Sequence, residues 1–317
     1  MRSDAGIDEI VPGDATIELL AGGFRFTEGP IWMPSGCLLF SDIRGNTVYR
    51  WAPDEGLTEF LKPSGYDGQD MPPGAPVGSN GLTIDAFGRL TLCEHGNRRV
   101  TRLENGGTRT VLADRFEGKR LNSPNDLVYK SDGSLYFTDP PYGLLNRDDD
   151  SGKELPFCGV FRLADGKLEV LYTGLHRPNG LAFSPDERYL YVSNSDPARR
   201  IWMRFEVRSD GSLAHGELFH DATGCREPGL PDGMKLDRQG NLYCTGPGGI
   251  RIFAPGGKHL GTIRFPEVPA NCHWGDDDAR MLYVTARTGL YRIRLNVAGM
   301  RPTASDREAA IPLIAPV

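Results

Sequence analysis

The chain has 317 residues, a formal net charge of −6 and 25% charged residues. That charge density is ordinary for a folded protein and speaks against disorder, while the mildly acidic balance supplies no basic field for nucleic acid. Hydrophobic residues at 39%, with Gly 40 and Pro 24, leave enough for a core but point to many turns rather than to a helical bundle.

Residues 1–13 read as a short N-terminal extension with Asp4, Asp8 and Glu9 and no apolar run, so no signal peptide is expected. No later stretch approaches the length of apolar residues that a membrane span needs, which implies a cytoplasmic protein without a membrane partner. The first strand candidate is Ala15–Leu20. After it the chain repeats one phrase: a polar residue, often followed by Gly, then a strand, a turn, a second strand with a polar end, and a third strand rich in Arg or Tyr. The copies open at Glu28-Gly-Pro-Ile-Trp, Asn80-Gly-Leu-Thr-Ile, Asn125-Asp-Leu-Val-Tyr, Asn179-Gly-Leu-Ala-Phe, Asp232-Gly-Met-Lys-Leu and Asn271-Cys-His-Trp. Successive openings lie about 40 to 55 residues apart, the period of propeller blades. The sequence therefore predicts an all-β, six-bladed β-propeller with a central tunnel. It is expected to form a single domain over 1–317, ending in a C-terminal tail at 298–317. A TIM barrel would need intervening helices that the frequent turns exclude, and a two-sheet sandwich would not explain six matching phrases. Ring closure calls for a terminal strand, and Ala15–Leu20 is expected to pair near Leu290–Leu295.

Two segments break the period. Residues 63–78 and 140–157 are long loops, either lids or solvated insertions. The Asp148-Asp149-Asp150 run in the second reads as a solvated turn. The six cysteines, Cys37, Cys93, Cys158, Cys225, Cys244 and Cys272, are scattered without a CxxC pair and read as buried reduced thiols acting as small hydrophobes rather than disulfides or a zinc site.

The six opening residues, Glu28, Asn80, Asn125, Asn179, Asp232 and Asn271, occupy one equivalent position. At the start of each innermost strand they would form a ring of carboxylate and amide oxygens. Such hard donors suit a divalent cation such as Ca2+, and a bound cation offsets the cost of burying two carboxylates. Zinc sites usually use His and Cys, and none falls at these positions. Each Asx-Gly pair alone would read as a turn; six in register favour a site.

Four of the motifs, Glu28-Gly-Pro-Ile-Trp, Ser123-Pro-Asn-Asp-Leu, Arg177-Pro-Asn-Gly-Leu-Ala-Phe and Pro231-Asp-Gly-Met, occur in an order that resembles the SMP-30/gluconolactonase/LRE family. The resemblance runs from about Phe24 to Leu295. Glu94-His95-Gly-Asn-Arg-Arg and Phe137-Thr-Asp-Pro-Pro-Tyr-Gly resemble its bacterial gluconolactonase branch. It implies a metal held by Glu28, Asn125, Asn179 and Asp232, usually calcium, with zinc, magnesium or manganese accepted in some members. Asn80 matches an inner position that does not normally bind the metal and is assigned to substrate. His273 stands where the lactonases commonly carry a small residue, and a nearby His binds a second calcium in the phosphatase relative. That leaves a second metal, an altered pocket or a satisfied buried histidine, of which the last is favoured.

The chemistry expected is metal-dependent opening of a sugar lactone, a carboxylic ester hydrolysis, with Asp232 as general base or, alternatively, as nucleophile. No Gly-x-Ser-x-Gly motif supports a serine hydrolase. Substrate hydroxyls would meet Asn80, His95, Glu94, Tyr142 and Asn194, His95 being as readily structural or a proton shuttle. Other lactones or phosphoesters, or a non-catalytic binding propeller, remain as alternatives. The partner is a small molecule, and the chain is a monomer or homodimer.

Overall fold

The computed structural model describes residues 6–302. Residues 1–5 of the expected extension and 303–317 of the expected tail lie outside the described residues. The chain forms two compact units. One combines the residues up to Thr27 with Asn179–Arg301, and the other is built on Glu28–Pro178.

Each phrase forms one four-stranded antiparallel sheet, so the repeats become six blades, three assigned to each unit. The Glu28–Pro178 unit holds the sheets that begin at Thr27–Met33, Ser79–Ile84 and Leu127–Tyr129. The other unit holds those that begin at Pro178–Phe183, Met234–Leu236 and Pro269–Gly275. The last sheet takes its fourth strand from the N-terminal region. Glu18–Gly22 pairs with Gly289–Arg294, with Glu18 opposite Arg292 and a 2.8 Å ion pair between their side chains. The expected closing strand is thus present, displaced by a few residues towards Gly22.

Burial explains why the strands read as runs of apolar residues rather than alternating ones. A blade packed on both faces buries both sets of side chains. Cys37–Asp42 and Met281–Ala286 are buried at every position, whereas the outermost Gly56–Leu61 is mostly exposed. Within the first unit one wedge joins Tyr243, Ile250, Trp274, Leu282 and Tyr291, and a second joins Tyr191, Trp202, Met234, Leu242 and Phe253. In the Glu28–Pro178 unit the wedges centre on Ile31, Leu39, Leu82 and Leu92, and on Leu127, Phe137 and Phe161.

The ends of the chain are more integrated than expected. Ile10 is 3% exposed within the first wedge, and its carbonyl accepts from Asn296 N. Gly299 bridges to Asp237, and Met300 N donates to Leu236 O, so the expected tail begins as part of a sheet. Among the described residues the helical content is one 3-10 turn, Arg147–Asp149, and no helix is long and apolar enough to cross a membrane. All six cysteines are free thiols, with only Cys225 not buried.

Candidate active site

The phrase-opening residues sit where inner strands begin. Glu28, Asn80, Asn179 and Asn271 lie inside their strands, while Asn125 and Asp232 precede Leu127–Tyr129 and Met234–Leu236 by two residues. All are buried except Asp232, which is partly exposed. The glycine that follows four of the six opening residues, Glu28, Asn80, Asn179 and Asp232, is a packing requirement rather than a turn. A Cβ on Gly81 would stand 2.7 Å from the Asn125 carbonyl oxygen, and one on Gly180 would overlap the carbonyl of Asp232. Adjacent inner strands approach closely there, and their backbones bond laterally: Gly81 N donates to Asn125 O at 2.8 Å, and Gly233 N to Ala270 O at 2.8 Å.

In the Glu28–Pro178 unit, the structure brings together Asn80, His95 and Asn125. Asn80 Nδ2 donates to Asn125 Oδ1 at 2.7 Å and lies 3.4 Å from His95 Nε2. The ring also lies against the Asn125 side chain and the Pro76 carbonyl, both of which favour its protonated form. Burial pushes the His95 pKa down to about 4, so the ring is neutral at physiological pH. Glu28 is 2% exposed, and its Oε2 accepts from Gly29 N at 2.9 Å.

In the other unit, Asn179 Nδ2 donates to Ser195 Oγ at 2.9 Å, and the Ser195 hydroxyl donates in turn to Pro231 O. With its nitrogen anchored, Asn179 presents its oxygen as the other end of the amide. Ser193 Oγ bonds the carbonyl of Asp232 at 2.9 Å, fixing the backbone that carries this carboxylate. Asn271 differs, because its Oδ1 accepts from Cys272 N at 2.9 Å.

Two of the residues expected to meet substrate are engaged within the fold. Glu94 is 0% exposed and its oxygens are committed: Oε1 to Thr101 Oγ1 (2.7 Å) and Arg109 (3.0 Å), Oε2 to Asn97 (2.6 Å) and Arg99 (2.7 Å). Strand alternation turns it away from its neighbour His95. Asn194 is 1% exposed and donates to Arg199 O at 2.7 Å across the hairpin, so that Ser195, one residue on, reaches Asn179 instead. Tyr142 is partly buried, its ring 5.9 Å from the Arg147 guanidinium, in the loop that packs on His95 through Gly143. That loop is pinned rather than free to swing: Gly143 N donates to Ser123 Oγ, Arg98 to Gly152 O and Asn122 to Phe157 O. Asp148 pairs with Arg177 and Asp150 accepts from Asn146 N and Gly152 N, as suits a turn. His273, 1% exposed, donates from Nδ1 to Trp274 O at 2.8 Å, and burial first, then Lys235, pushes its pKa down to about 3. Among the described residues no cluster of three His, Cys, Asp or Glu side chains could hold a metal.

The model of the SMP-30/gluconolactonase/LRE-like region matches residues 26–288. The chain belongs to this family. A gluconolactonase of Zymomonas mobilis is 42% identical over 307 residues, which cover 92% of this chain and 85% of that protein. A pentonolactonase of Haloferax volcanii is 29% identical over 274 residues, covering 84% and 82%. The solved gluconolactonase of Xanthomonas campestris is 35% identical, with a TM-score of 0.80 over 92% of this chain and 93% of its own. The fold is that of a six-bladed β-propeller.

Two kinds of residue escaped the sequence reading of this family member. Hydroxyls near the ends of second strands stitch one phrase to the next, as in Ser41 to Asn80 O (2.9 Å) and Thr245 to Ala270 O (2.8 Å). The recurrent Ser or Thr in Phe-Ser-Asp, Phe-Thr-Asp and Val-Ser-Asn was their signal. Asp139, 0% exposed, accepts from Asn122 N (2.7 Å) and Ser123 N (2.8 Å) and so holds the segment leading to Asn125. Burial outweighs those bonds and pushes its pKa up to about 7.

Proposed function

We propose that this protein is a metal-dependent lactonase that opens a sugar lactone to the aldonic acid, on a divalent cation held by Glu28, Asn125, Asn179 and Asp232. The carrying observation is the shared register of these oxygen donors at inner-strand starts, in a family member 42% identical to a gluconolactonase. The donor chemistry fits. Two carboxylates and two amide oxygens are hard ligands without His or Cys, which favours calcium over zinc and leaves magnesium or manganese as substitutes. Asn80 orients the Asn125 amide and Ser195 orients that of Asn179, as outer partners of a metal site do.

When bound, such a cation polarises the lactone carbonyl as a Lewis acid. Asp232, the partly exposed acid of the set, accepts the proton of the attacking water. His95, neutral, and Asn80 meet sugar hydroxyls. Such hydroxyls need partners of both kinds, which an amide supplies. A cytoplasmic location goes with the reading, since six free thiols suit a reducing compartment.

The test is hydrolysis of D-glucono-1,5-lactone with and without EDTA, in wild type and in Asp232→Asn at saturating metal. Chelation should abolish enzymatic turnover. The variant should keep its metal more weakly and lose about 10²–10⁴ in rate. Near-wild-type turnover in the saturated variant would remove Asp232 as the base.

A further inference from the structure

Within the unit that contains Asn179–Arg301, the wedge of Trp202, Leu242, Cys244 and Phe253 is apolar along most of its length. Beside Cys225, in the segment leading to Asp232, it ends in a group of N–H donors. Trp202 is 0% exposed and its Nε1 meets no acceptor; Arg251 is 9% exposed and its Nε meets none; Arg200 Nε, also buried, meets none. The remaining contacts of the two guanidiniums are weak or neutral. Arg251 Nη1 lies 3.4 Å from Pro247 O and 3.9 Å from Cys225 Sγ, and Arg200 Nη1 donates to Cys225 O at 3.1 Å.

The three side chains are neighbours, Arg200 and Arg251 both reaching Cys225. A Cβ on Gly246 would have the Trp202 ring edge 2.9 Å away and Arg251 Cδ 3.7 Å away. The Trp202 ring and the Arg251 guanidinium lie 5.8 and 5.9 Å from the Phe253 ring, and His220 lies 4.6 Å from it. No carboxylate pairs with Arg200 or Arg251 among the described residues. Glu227 of the same segment is taken by Arg264 at 2.6 Å, and Asp221 Oδ1 by Thr223 N at 2.7 Å. Burial first, then Arg251 and His259, push the His220 pKa down to about 4 against the opposing pull of Asp221.

Arginine keeps its charge in proteins, and burying that charge without a counterion is costly. A planar guanidinium is also the side chain best shaped to grip an oxyanion. We propose that Arg200, Arg251 and Trp202 form a binding site for a small oxyanion, separate from the oxygen donors at the inner-strand starts. The chemistry is that of a phosphate or carboxylate group, whether inorganic phosphate, a sugar phosphate or an aldonate. Because Arg200 holds Cys225 O in the segment that runs into Asp232, occupancy also steadies that segment.

Inorganic phosphate is the first probe, titrated by calorimetry and thermal melting at ionic strength held constant with chloride. The expected result is one saturable binding event per chain with a rise of several degrees in Tm, weakened at least tenfold in Arg251→Gln and in Arg200→Gln. The half-buried Arg200 decides the matter if the Arg251 variant does not fold. The imidazole pKa of His220 should rise on binding, read by proton NMR. Parallel titrations with gluconate and glucose 6-phosphate identify the source, the tighter ligand being the physiological class. No saturable response beyond chloride, or an unchanged response in both variants, overturns the site. A response lost in Glu28→Gln but kept in Arg200→Gln also overturns it, by assigning phosphate to the cation proposed at the inner-strand starts.

Discussion

Glu94 and Asp139 occupy the same place in neighbouring blades, each ending a second strand, Leu90–Glu94 and Leu135–Asp139, and each 0% exposed. Their surroundings differ in kind. Glu94 is neutralised by Arg99 and Arg109, with Thr101 and Asn97 filling its other lone pairs. Asp139 receives two backbone N–H groups, from Asn122 and Ser123, with cations acting on it only through space. The first carboxylate ties together side chains of its own sheet and the loop before it. The second spends its hydrogen bonds on a backbone segment that carries a proposed ligand. One position in a repeat therefore serves stability in one blade and site geometry in the next.

The largest expected effect is on the charged side. Glu94→Gln leaves Arg109 without its anion and Arg99 with Asp67 alone, and should cost about 3 kcal/mol, the low end for a broken buried pair, because both arginines retain some water. Urea unfolding measures it, and metal affinity should be unchanged. Asp139→Asn should cost about 1–3 kcal/mol, since an amide cannot accept both N–H bonds equally, and it should weaken cation binding by loosening Asn125. Equal effects of the two variants on metal affinity would break the comparison.

The Asp139 carboxyl also sets a pH signature. Its folded pKa, about 7, lies above the ordinary value of 3.8, so its contribution to stability is full below that value and is lost as pH rises through about 7. His220 and His273 act in the opposite sense. Their pKa values are depressed to about 4 and about 3, so their contribution is present above 6.5 and is lost as pH falls from there. Urea midpoints should pass through a maximum near about pH 6.5, and Asp139→Asn should flatten the alkaline limb and steepen the acid one. A limb unchanged in that variant would show that Asp139 is not the group titrating. The smallest effect belongs to Ser195→Ala, about 1 kcal/mol for one neutral hydrogen bond. It should bring a few-fold loss of metal affinity as Asn179 becomes free to turn over, read by equilibrium dialysis.

Much of the fold was legible because each blade repeats one phrase, and a repeat declares itself whatever the propensity of single residues. The glycines after Asn80 and Asn179 looked like turn formers and proved to be points of close backbone approach. The sequence reading faltered where the answer lay in side-chain direction. Glu94 and Asn194 stand beside His95 and Ser195, and a shift of one residue along a strand reverses the face. Counting alternate positions along Tyr189–Asp196 would have put Ser193 and Ser195 together on one face. Nothing comparable marks Asp139, whose partners are backbone amides earlier in the chain and carry no residue identity. Arg200, Arg251 and Trp202 were equally silent, each an ordinary strand residue until the wedge brings them together.

The pairing of Glu18–Gly22 with Gly289–Arg294 also shapes how the protein is made. The first of these strands leaves the ribosome early and must wait for its partner through almost the whole of synthesis, some tens of seconds at about 5–20 residues per second. Glu28–Pro178 is continuous in sequence and can collapse meanwhile, whereas the other unit remains open until the end of the chain arrives. Contacts spanning so much sequence are slow to form and leave a bare strand edge in the interval. A circular permutant that joins Glu18–Gly22 directly behind Arg294 would turn the slowest contact of the molecule into a hairpin, and should refold faster with less aggregation.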